Sequence, residues 1–205
     1  MESLNNISPD RTSGQILHTF YKEHDLPPDG GVNAPRVKIK MAKGFAIYIP
    51  NFDARRKVIL RHDIHHLLTG YSTHLKGETE IGAWEIGSGC RHYWAAWALD
   101  MSSMMLGFWF NLGGIFRAFV RGRHSTNLYS DIIDDKKVVD MPISEIHKVI
   151  KIPSQNEKIK ATPGDIASFL WNLFIGGVYD IASIALIPFV IIYNIVVFVK
   201  LSVNH

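Results

Sequence analysis

Apolar and polar residues follow a helical period through the middle of the chain. The stretch from Asp53 to Leu68 predicts one helix, with Asp53 as its N-cap and Gly70 just beyond its end. A second helix is expected to begin between Lys76 and Glu80, and the glycines within it indicate close packing against a neighbour. We therefore predict an all-α, mainly helical fold.

The N-terminal part of the chain is less regular. Residues 1–35 are rich in Ser, Asn, Asp, Gly and Pro, and an apolar patch over residues 16–21 predicts one short helix followed by a loop. From Val37 to Ile49 the pattern is β-prone, so either a small hairpin or an extended segment fits it.

Two further helical regions follow the central pair. Tyr93 to Val120 is long and strongly apolar, and it is interrupted by Asp100, Asn111 and a glycine pair. After a polar connector, Ser144 is expected to cap a short helix.

The C-terminal segment is the most apolar part of the chain. Between Ile166 and Val199 the single charged residue is Asp180, which together with Gly176-Gly177 predicts a break. Ile181–Val199 carries no charge and reaches the ~20 residues that a helix needs to cross the hydrocarbon core of a bilayer. We therefore expect membrane insertion, either as one spanning helix with an interfacial partner or as a half-inserted hairpin, with Pro188 as a tolerated kink. A buried soluble hairpin is the alternative.

Composition narrows the choice of partners and compartment. The net charge of +3 is too small to predict nucleic-acid binding, and the basic clusters beside apolar sequence suit either an anionic membrane surface or a solvated face. Cys90 is the only cysteine, which excludes an intrachain disulfide and favours a reducing compartment. The first residues show neither signal-peptide nor transit-peptide features.

One cluster of side chains has the composition of a metal site. His62, Asp63 and His66 stand at helical offsets i, i+1 and i+4, so all three can converge on one point. Glu78 arrives from the next element and can complete the set. Two imidazoles with one or two carboxylates suit a divalent metal, Zn²⁺ above all, in a site that keeps an open position.

Other interpretations of this cluster stay open. The residues can simply cap or solvate the helix, although ionisable groups among apolar neighbours such as Leu67 are costly unless paired or bound. Zinc peptidases place Glu directly after the first His, where this chain has Asp63, which is more typical of a ligand. His62, His65 and His66 also have the form of one histidine box of membrane hydroxylases, but the remaining histidines are scattered singly.

The spacing resembles the signature of a known family. His62-Asp63, two residues, His66, eleven residues and Glu78 resemble the motif of the Coq4 family, the ubiquinone (coenzyme Q) biosynthesis proteins. The run from Leu67 to Tyr71 is also similar to that family, and a weaker likeness extends over residues 44–153. The apolar residues 166–205 are not associated with the family.

The resemblance implies a function as well as a fold. It implies that His62, Asp63, His66 and Glu78 hold a divalent metal, usually given as zinc, in a mostly helical, membrane-docked protein. It also implies a polyprenyl chain in an apolar groove and replacement of the carboxyl of a prenylated benzoate head group by a hydroxyl. Glu78 is then expected to take part in catalysis.

Neighbouring residues receive expected roles from their chemistry. His65 is the candidate proton carrier, because the pKa of a histidine lies near neutrality, and a supporting or surface position is the alternative. Arg61 can hold a ligand carboxylate or can be solvated. A lipid tail is expected along a stripe that is otherwise an ordinary helix core. The stripe comprises Trp94, Trp97, Met101, Met104, Met105, Phe108, Trp109 and Phe116.

We predict three segments: an N-terminal helix and loop (1–35), a metal-binding helical domain (36–153), and a linker with membrane-embedded helices (154–205). The expected location is a bacterial cytoplasmic membrane, with the metal domain on the cytoplasmic side. The expected partners are the membrane, a polyprenyl or other long-chain lipid and other quinone-biosynthesis proteins, but no nucleic acid. A metal-dependent decarboxylase, a non-catalytic lipid-binding scaffold and a histidine-box hydroxylase are the three hypotheses.

Overall fold

The computed structural model describes residues 10–23, 27–40 and 46–203, and the fold is mainly helical, as predicted. The helices are α1 (Ser13–Glu23), α2 (Asp53–Thr69), α3 (Leu75–Ser88), α4 (Trp94–Phe108), α5 (Leu112–Arg123), α6 (Asp135–Asp140), α7 (Ile143–Val149), α8 (Pro163–Ile184) and α9 (Ile187–Val203). A short 3-10 helix, Leu128–Ser130, lies between α5 and α6.

Two strands, β1 (Arg36–Lys40) and β2 (Ala46–Pro50), pair antiparallel, with Arg36 opposite Pro50. The two alternatives for this segment were a small hairpin and an extended segment, and the antiparallel pairing agrees with the hairpin. The expectations that fall on residues 1–9 and 41–45 lie outside the described residues.

Two helix starts differ from the prediction, by one residue for α2 and by two for α7. Phe52 occupies the N-cap position of α2, and Asp53 is the first helical residue, where its carboxylate pairs with Arg56 at 3.0 Å. Pro142 likewise precedes α7, so Ser144 is not its cap. The predicted end of α2 is confirmed, because Gly70 has a left-handed φ of 76° and donates its N–H to a carbonyl of the last turn.

α3 packs between α4 and α5 in the larger hydrophobic core. Its buried face carries Ile81 and Trp84. A Cβ added at Gly87 would lie 2.3 Å from the carbonyl oxygen of Phe119, and one added at Gly122 would lie 2.2 Å from that of Trp84. The backbones of α3 and α5 therefore approach so closely that a side chain does not fit, which confirms the packing role expected of the glycines.

A second hydrophobic cluster joins α1 to α2, α6 and α7. Ile16 and Phe20 of α1 pack with Ile64 of α2 and Val138 of α6 in this cluster. The N–H of Ser13 also donates to the carbonyl of Met141 at 2.9 Å. α1 is thereby fixed to the helices that follow, and Phe20 and Tyr21 are held beside α2.

α8 runs without interruption through the position where a break was predicted. Gly176-Gly177 lies well inside the helix, which extends over Pro163–Ile184, so the predicted break is wrong. A Cβ at Gly176 would lie 2.7 Å from the sulfur of Met105 and 2.8 Å from that of Met101, both in α4. Gly176 therefore permits helix packing and does not end the helix.

The chain turns instead at Ala185 and Leu186, and α9 begins at Ile187. Pro188 is the second residue of α9, a position where no kink is needed because its missing N–H has no helical partner. The predicted span Ile181–Val199 is therefore divided between two helices and is wrong as a single helix. Among the described residues, α8 alone is long and apolar enough to cross a membrane, judged by length and composition.

Most apolar side chains of α8 and α9 are exposed, including Phe174 at 61% and Phe189 at 69%. A polar contact attaches α9 to the sheet. The side-chain oxygen of Asn194 accepts the N–H of Tyr48 in β2 at 2.8 Å, and its amide nitrogen donates to the carbonyl of Tyr48 at 2.9 Å. The side chain of Asn194 thus pairs with the edge of β2 as a further strand would.

Candidate metal centre

Two histidines on one face of α2 point their rings at the same place. His62 and His66 stand one turn apart, and their ring centroids are 4.8 Å apart in an edge-on arrangement. Their Nε2 atoms lie 3.2 Å from each other. The i, i+4 spacing thus has the consequence expected from the sequence.

Glu78 of α3 approaches both rings. One carboxylate oxygen lies 3.3 Å from Nε2 of His66, and the other lies 3.6 Å from Nε2 of His62. Ligand atoms about 2.0–2.1 Å from a tetrahedral zinc ion are about 3.3–3.4 Å apart. The separation of the two imidazole nitrogens is close to that edge length, and one ligand atom from each of the three residues lies within 4.8 Å of the others, so the three side chains could share one ion.

The other nitrogen of each ring is held by a hydrogen bond. Nδ1 of His66 lies 3.0 Å from the carbonyl oxygen of Tyr71, which can only accept, so this nitrogen is the donor. The left-handed turn at Gly70 brings that carbonyl back to the ring. Nδ1 of His62 lies 3.0 Å from Glu85 and likewise donates. Both rings are therefore oriented so that Nε2 can coordinate a cation.

Glu85 is the centre of a buried network that the sequence prediction missed. Its carboxylate is fully buried and accepts hydrogen bonds from His62, His65 and the hydroxyl of Tyr129. Asp100 of α4 is also buried, and its carboxylate lies 4.0 Å from Nδ1 of His62. His62, Glu85 and Asp100 form a second group with metal-capable geometry, on the interior side of the same ring.

Signals for both missed residues are present in the sequence. Glu85 follows Glu78 by two helical turns and stands between the apolar residues Trp84 and Ile86. Asp100 is the only acidic residue in a long apolar stretch. A charged residue in such a position has to find a buried partner, and here each lies beside His62.

Burial and neighbouring charges act in opposite directions on these groups. Burial raises the pKa of Glu78, but hydrogen bonds from His62 and His66 outweigh it and lower the pKa to about 2. Burial would lower the pKa of His62, but the charges of Glu85 and Glu78 hold it well above its ordinary value. For Asp100, burial and then the charge of Glu85 raise the pKa well above the ordinary range.

Asp63 does not join the group, contrary to the four-ligand prediction. One of its oxygens accepts a hydrogen bond from the hydroxyl of Tyr21 in α1 at 2.6 Å. Neither metal-capable group found among the described residues includes it. Asp63 still lines the cleft in front of the site, beside His62 and His66.

His65 points away from the cleft and is fully buried. Its Nδ1 bonds to Glu85, and its Nε2 accepts the backbone N–H of Leu128 at 3.0 Å. Burial lowers the pKa of His65 below its ordinary value. With neither nitrogen free, His65 has the supporting position that was the alternative to proton transfer, because it holds Glu85 in place.

A cleft of about 490 Å³ opens in front of the site, between α2 and α4. Its lining includes Phe20, Arg55, Val58, Ile59, His62, Asp63, His66, Thr73, Glu78, Ala96, Leu99, Asp100, Ser103 and Tyr129. The tryptophan and methionine stripe lies elsewhere: Met101 and Met104 are fully buried in the core, whereas Trp94 and Trp109 are 64% and 80% exposed. None of the stripe residues lines this cleft. The stripe therefore does not form the tunnel that was expected to hold a lipid tail.

Arg61 is neither solvated nor free for a ligand. It is buried, and its guanidinium donates to Asp131 at 2.6 Å, to Asp135 at 2.7 Å and to the carbonyl of Leu128 at 2.9 Å. It also lies 4.5 Å over the ring of Tyr93. Both expectations for Arg61 are wrong, because its own chain supplies the carboxylates.

No protein-family model, curated protein or solved structure matches this chain. The likeness to the ubiquinone biosynthesis family accordingly rests on the motif residues themselves.

Proposed function

We propose that this protein binds one divalent cation, Zn²⁺ in first place, through His62, His66 and Glu78. The observation that carries the proposal is the convergence of the three side chains: the two Nε2 atoms lie 3.2 Å apart, close to the edge of a tetrahedral zinc site, and the two carboxylate oxygens of Glu78 lie 3.3 Å from one Nε2 and 3.6 Å from the other. Glu85 and the carbonyl of Tyr71 support it, since metal-binding imidazoles almost always donate their second N–H to such acceptors. The fourth position faces the cleft.

We further propose that the cleft takes the head group of a polyprenylated aromatic precursor of an isoprenoid quinone. The resemblance of the motif supports this ligand. The cleft volume of about 490 Å³ lies in the range of small-molecule sites, which suits a substituted ring but leaves a long prenyl tail outside. The apolar walls formed by Val58, Ile59 and Leu99 suit the ring and the first part of the tail.

The chemistry proposed is loss of a carboxyl group from that ring. A bound cation would supply Lewis acidity towards a phenolate or carboxylate oxygen at its open position. The bond between ring and carboxyl carbon breaks, the carboxylate leaves as CO₂, and a proton from solvent in the open cleft takes its place on the ring. His62 and His66 are held in place by their second hydrogen bonds. Replacement of the carboxyl by a hydroxyl would in addition need an oxygen atom from water and a two-electron oxidant, such as dioxygen that is reduced to hydrogen peroxide.

We also propose that α8 and α9 attach the protein to a membrane. Their apolar side chains are largely exposed, and α8 has the length and composition of a spanning helix. Co-sedimentation of the protein with phosphatidylglycerol vesicles at high salt, where surface charge attraction is screened, tests this attachment. A protein that stays in the supernatant as a stable monomer contradicts it.

A non-catalytic lipid-binding scaffold is the second candidate, because the same three ligands join α2 to α3 and a metal there can be purely structural. The histidine-box alternative has less support. Among the described residues, no histidine besides His62 and His66 belongs to a group of three metal-capable side chains.

Metal analysis and lipid analysis test the proposal together. Purified protein should contain about one zinc-like ion per chain, and Glu78→Ala should lose it. Lost turnover with an unchanged melting temperature favours the enzyme, whereas unfolding favours the structural metal. Mass spectrometry of lipids from a deletion strain should show an accumulated prenylated benzoate. A protein that takes up no divalent metal after reconstitution contradicts the proposal.

A further inference from the structure

A cationic side chain lines the same cleft at some distance from the metal-capable group. Arg55 stands two turns before His62 on α2, so their Cα atoms are on the order of 10 Å apart along the helix axis. Arg55 is half-buried and lines the cleft. Its guanidinium donates to the side-chain oxygen of Asn51 at 3.0 Å.

Two other arginines, Arg61 and Arg121, are buried, and each has more hydrogen-bond acceptors around its guanidinium than Arg55 has. Arg61 pairs with two aspartates, and Arg121 donates to two backbone carbonyls and packs on the ring of Tyr71. Arg55 forms no ion pair within 4.0 Å with any carboxylate of the described residues. Asp63, the nearest acidic neighbour in the cleft, is hydrogen-bonded to Tyr21.

A half-buried guanidinium without a carboxylate partner is an energetic cost that an anionic ligand would offset. Burial lowers the pKa of Arg55, and the negative charge of Asp63, which forms no ion pair with it, only partly opposes this. Val58 and Ile59, which also line the cleft, follow Arg55 on α2 before His62. The cleft therefore has a metal-binding end, apolar walls and a cationic end.

We propose that Arg55 is a specificity residue that binds an anionic oxygen group, a carboxylate or a phosphate, on the ligand whose other end occupies the open metal position. This inference rests on the proposed metal site, and it adds a property that the metal triad alone does not require. Ligands with a single metal-binding head should bind less tightly than ligands with a second, negatively charged end.

Two matched probes test the inference on zinc-loaded full-length protein. The first is octanedioic acid monohydroxamate, in which the hydroxamate chelates zinc and the far end is a carboxylate. The second is its monoamide, of the same length but uncharged at the far end. Isothermal titration should show the acid binding roughly tenfold more tightly than the amide, as for a charge-assisted hydrogen bond. A third probe with a terminal phosphonate separates a phosphate preference from a carboxylate preference.

Variants then assign the effect to this residue. Arg55→Gln should abolish the preference for the acid while leaving amide binding and zinc content unchanged, and Arg55→Lys should retain part of it. Arg56→Gln is the matched control, because Arg56 neighbours Arg55, pairs with Asp53 and does not line the cleft. It should keep the full preference.

The outcomes separate this inference from the proposed function. If zinc loads and the wild-type protein binds acid and amide equally, or if Arg55→Gln keeps the preference, the role of Arg55 is overturned and the metal site stands. If zinc loads and neither hydroxamate binds, the role of Arg55 is also overturned. If zinc does not load at all, the proposed function itself fails and the inference fails with it.

Discussion

The two edges of the His62 ring face very different surroundings. Towards the cleft, Nε2 meets His66 and Glu78, and the carboxylate of Glu78 is 36% exposed. Towards the interior, Nδ1 meets Glu85, which is fully buried. Both glutamates stand on α3, two helical turns apart. One helix thus places a partly exposed carboxylate at one edge of the imidazole and a fully buried carboxylate at the other.

The difference follows from what each carboxylate can bind. Glu85 is enclosed and has protein donors on both of its oxygens, so its environment is complete within the chain. Within the described part of the chain, the carboxylate of Glu78 contacts the two imidazole nitrogens, and it lines the cleft. We therefore expect substitutions on the interior edge to cost stability and substitutions on the cleft edge to cost metal affinity.

The largest effect is expected for Glu85→Ala. The change removes the common acceptor of His62, His65 and Tyr129 from a buried site, which costs about 3–5 kcal/mol of unfolding free energy. Urea denaturation of the metal-free protein measures it, and Glu85→Gln, which keeps one acceptor oxygen, should cost less. If Glu78→Ala lowers the unfolding free energy of the metal-free protein as much as Glu85→Ala does, the proposed difference between the interior and cleft edges of His62 is wrong.

Glu78→Ala should lower zinc affinity about 100-fold or more, because it removes one of three ligands. The melting temperature of the metal-free protein should fall less than for Glu85→Ala, since the side chain of Glu78 is partly exposed and solvent weakens its contacts with the two imidazoles. A competition titration with a zinc chelator measures the affinity. An unchanged affinity would place the cation elsewhere, for example on the interior edge with Glu85 and Asp100.

Asp63→Asn tests whether Asp63 is one of the metal ligands on the cleft side of His62. Asp63 is hydrogen-bonded to Tyr21 and does not belong to the metal-capable groups. Zinc affinity should therefore change by less than about tenfold, the smallest loss that is typical when a residue supporting a metal ligand is removed. The same chelator titration measures it, with Tyr21→Phe as the control for the lost hydrogen bond. A loss as large as that of Glu78→Ala would restore the four-ligand set implied by the family motif.

Asp131 is a more exposed carboxylate than Glu85, and its substitution should have the smallest effect on stability. Hydrogen bonds from Tyr93 and Arg61 hold the pKa of Asp131 below its ordinary value. The stabilisation is therefore complete above the unfolded-state pKa and is lost as the pH falls through the lower, folded-state value. At neutral pH Asp131→Asn should cost less than about 1 kcal/mol, since the carboxylate is largely exposed. Denaturation curves of the two proteins should converge at low pH, and a difference that persists there contradicts the prediction.

The residues that the sequence located correctly are those whose relation is set by one helix. His62 and His66 are one turn apart, so their convergence follows from helix geometry alone. The helical content and the end of α2 at Gly70 also follow from local pattern. Glu78 was suggested by its residue type in the next element and by the family motif, but no local rule determines how α3 crosses α2.

The residues that were misjudged depend on tertiary contacts. Asp63 has a ligand-like position in the sequence, but Tyr21, forty-two residues earlier, holds its carboxylate. Gly176 has the local signature of a helix break, but its lack of a side chain serves contact with Met105. Glu85 could be suspected from its apolar neighbours, whereas its three partners could not be named without the fold.

The pairing between Asn194 and Tyr48 limits how α9 can enter a bilayer. Because the side-chain amide bonds main-chain atoms of an edge strand, helix and strand have to share one environment. Two residues separate β2 from α2, which carries His62 and His66. If α9 lies in lipid, the hairpin is drawn to the headgroup layer, and a ligand could then pass from the bilayer towards the cleft without crossing bulk water.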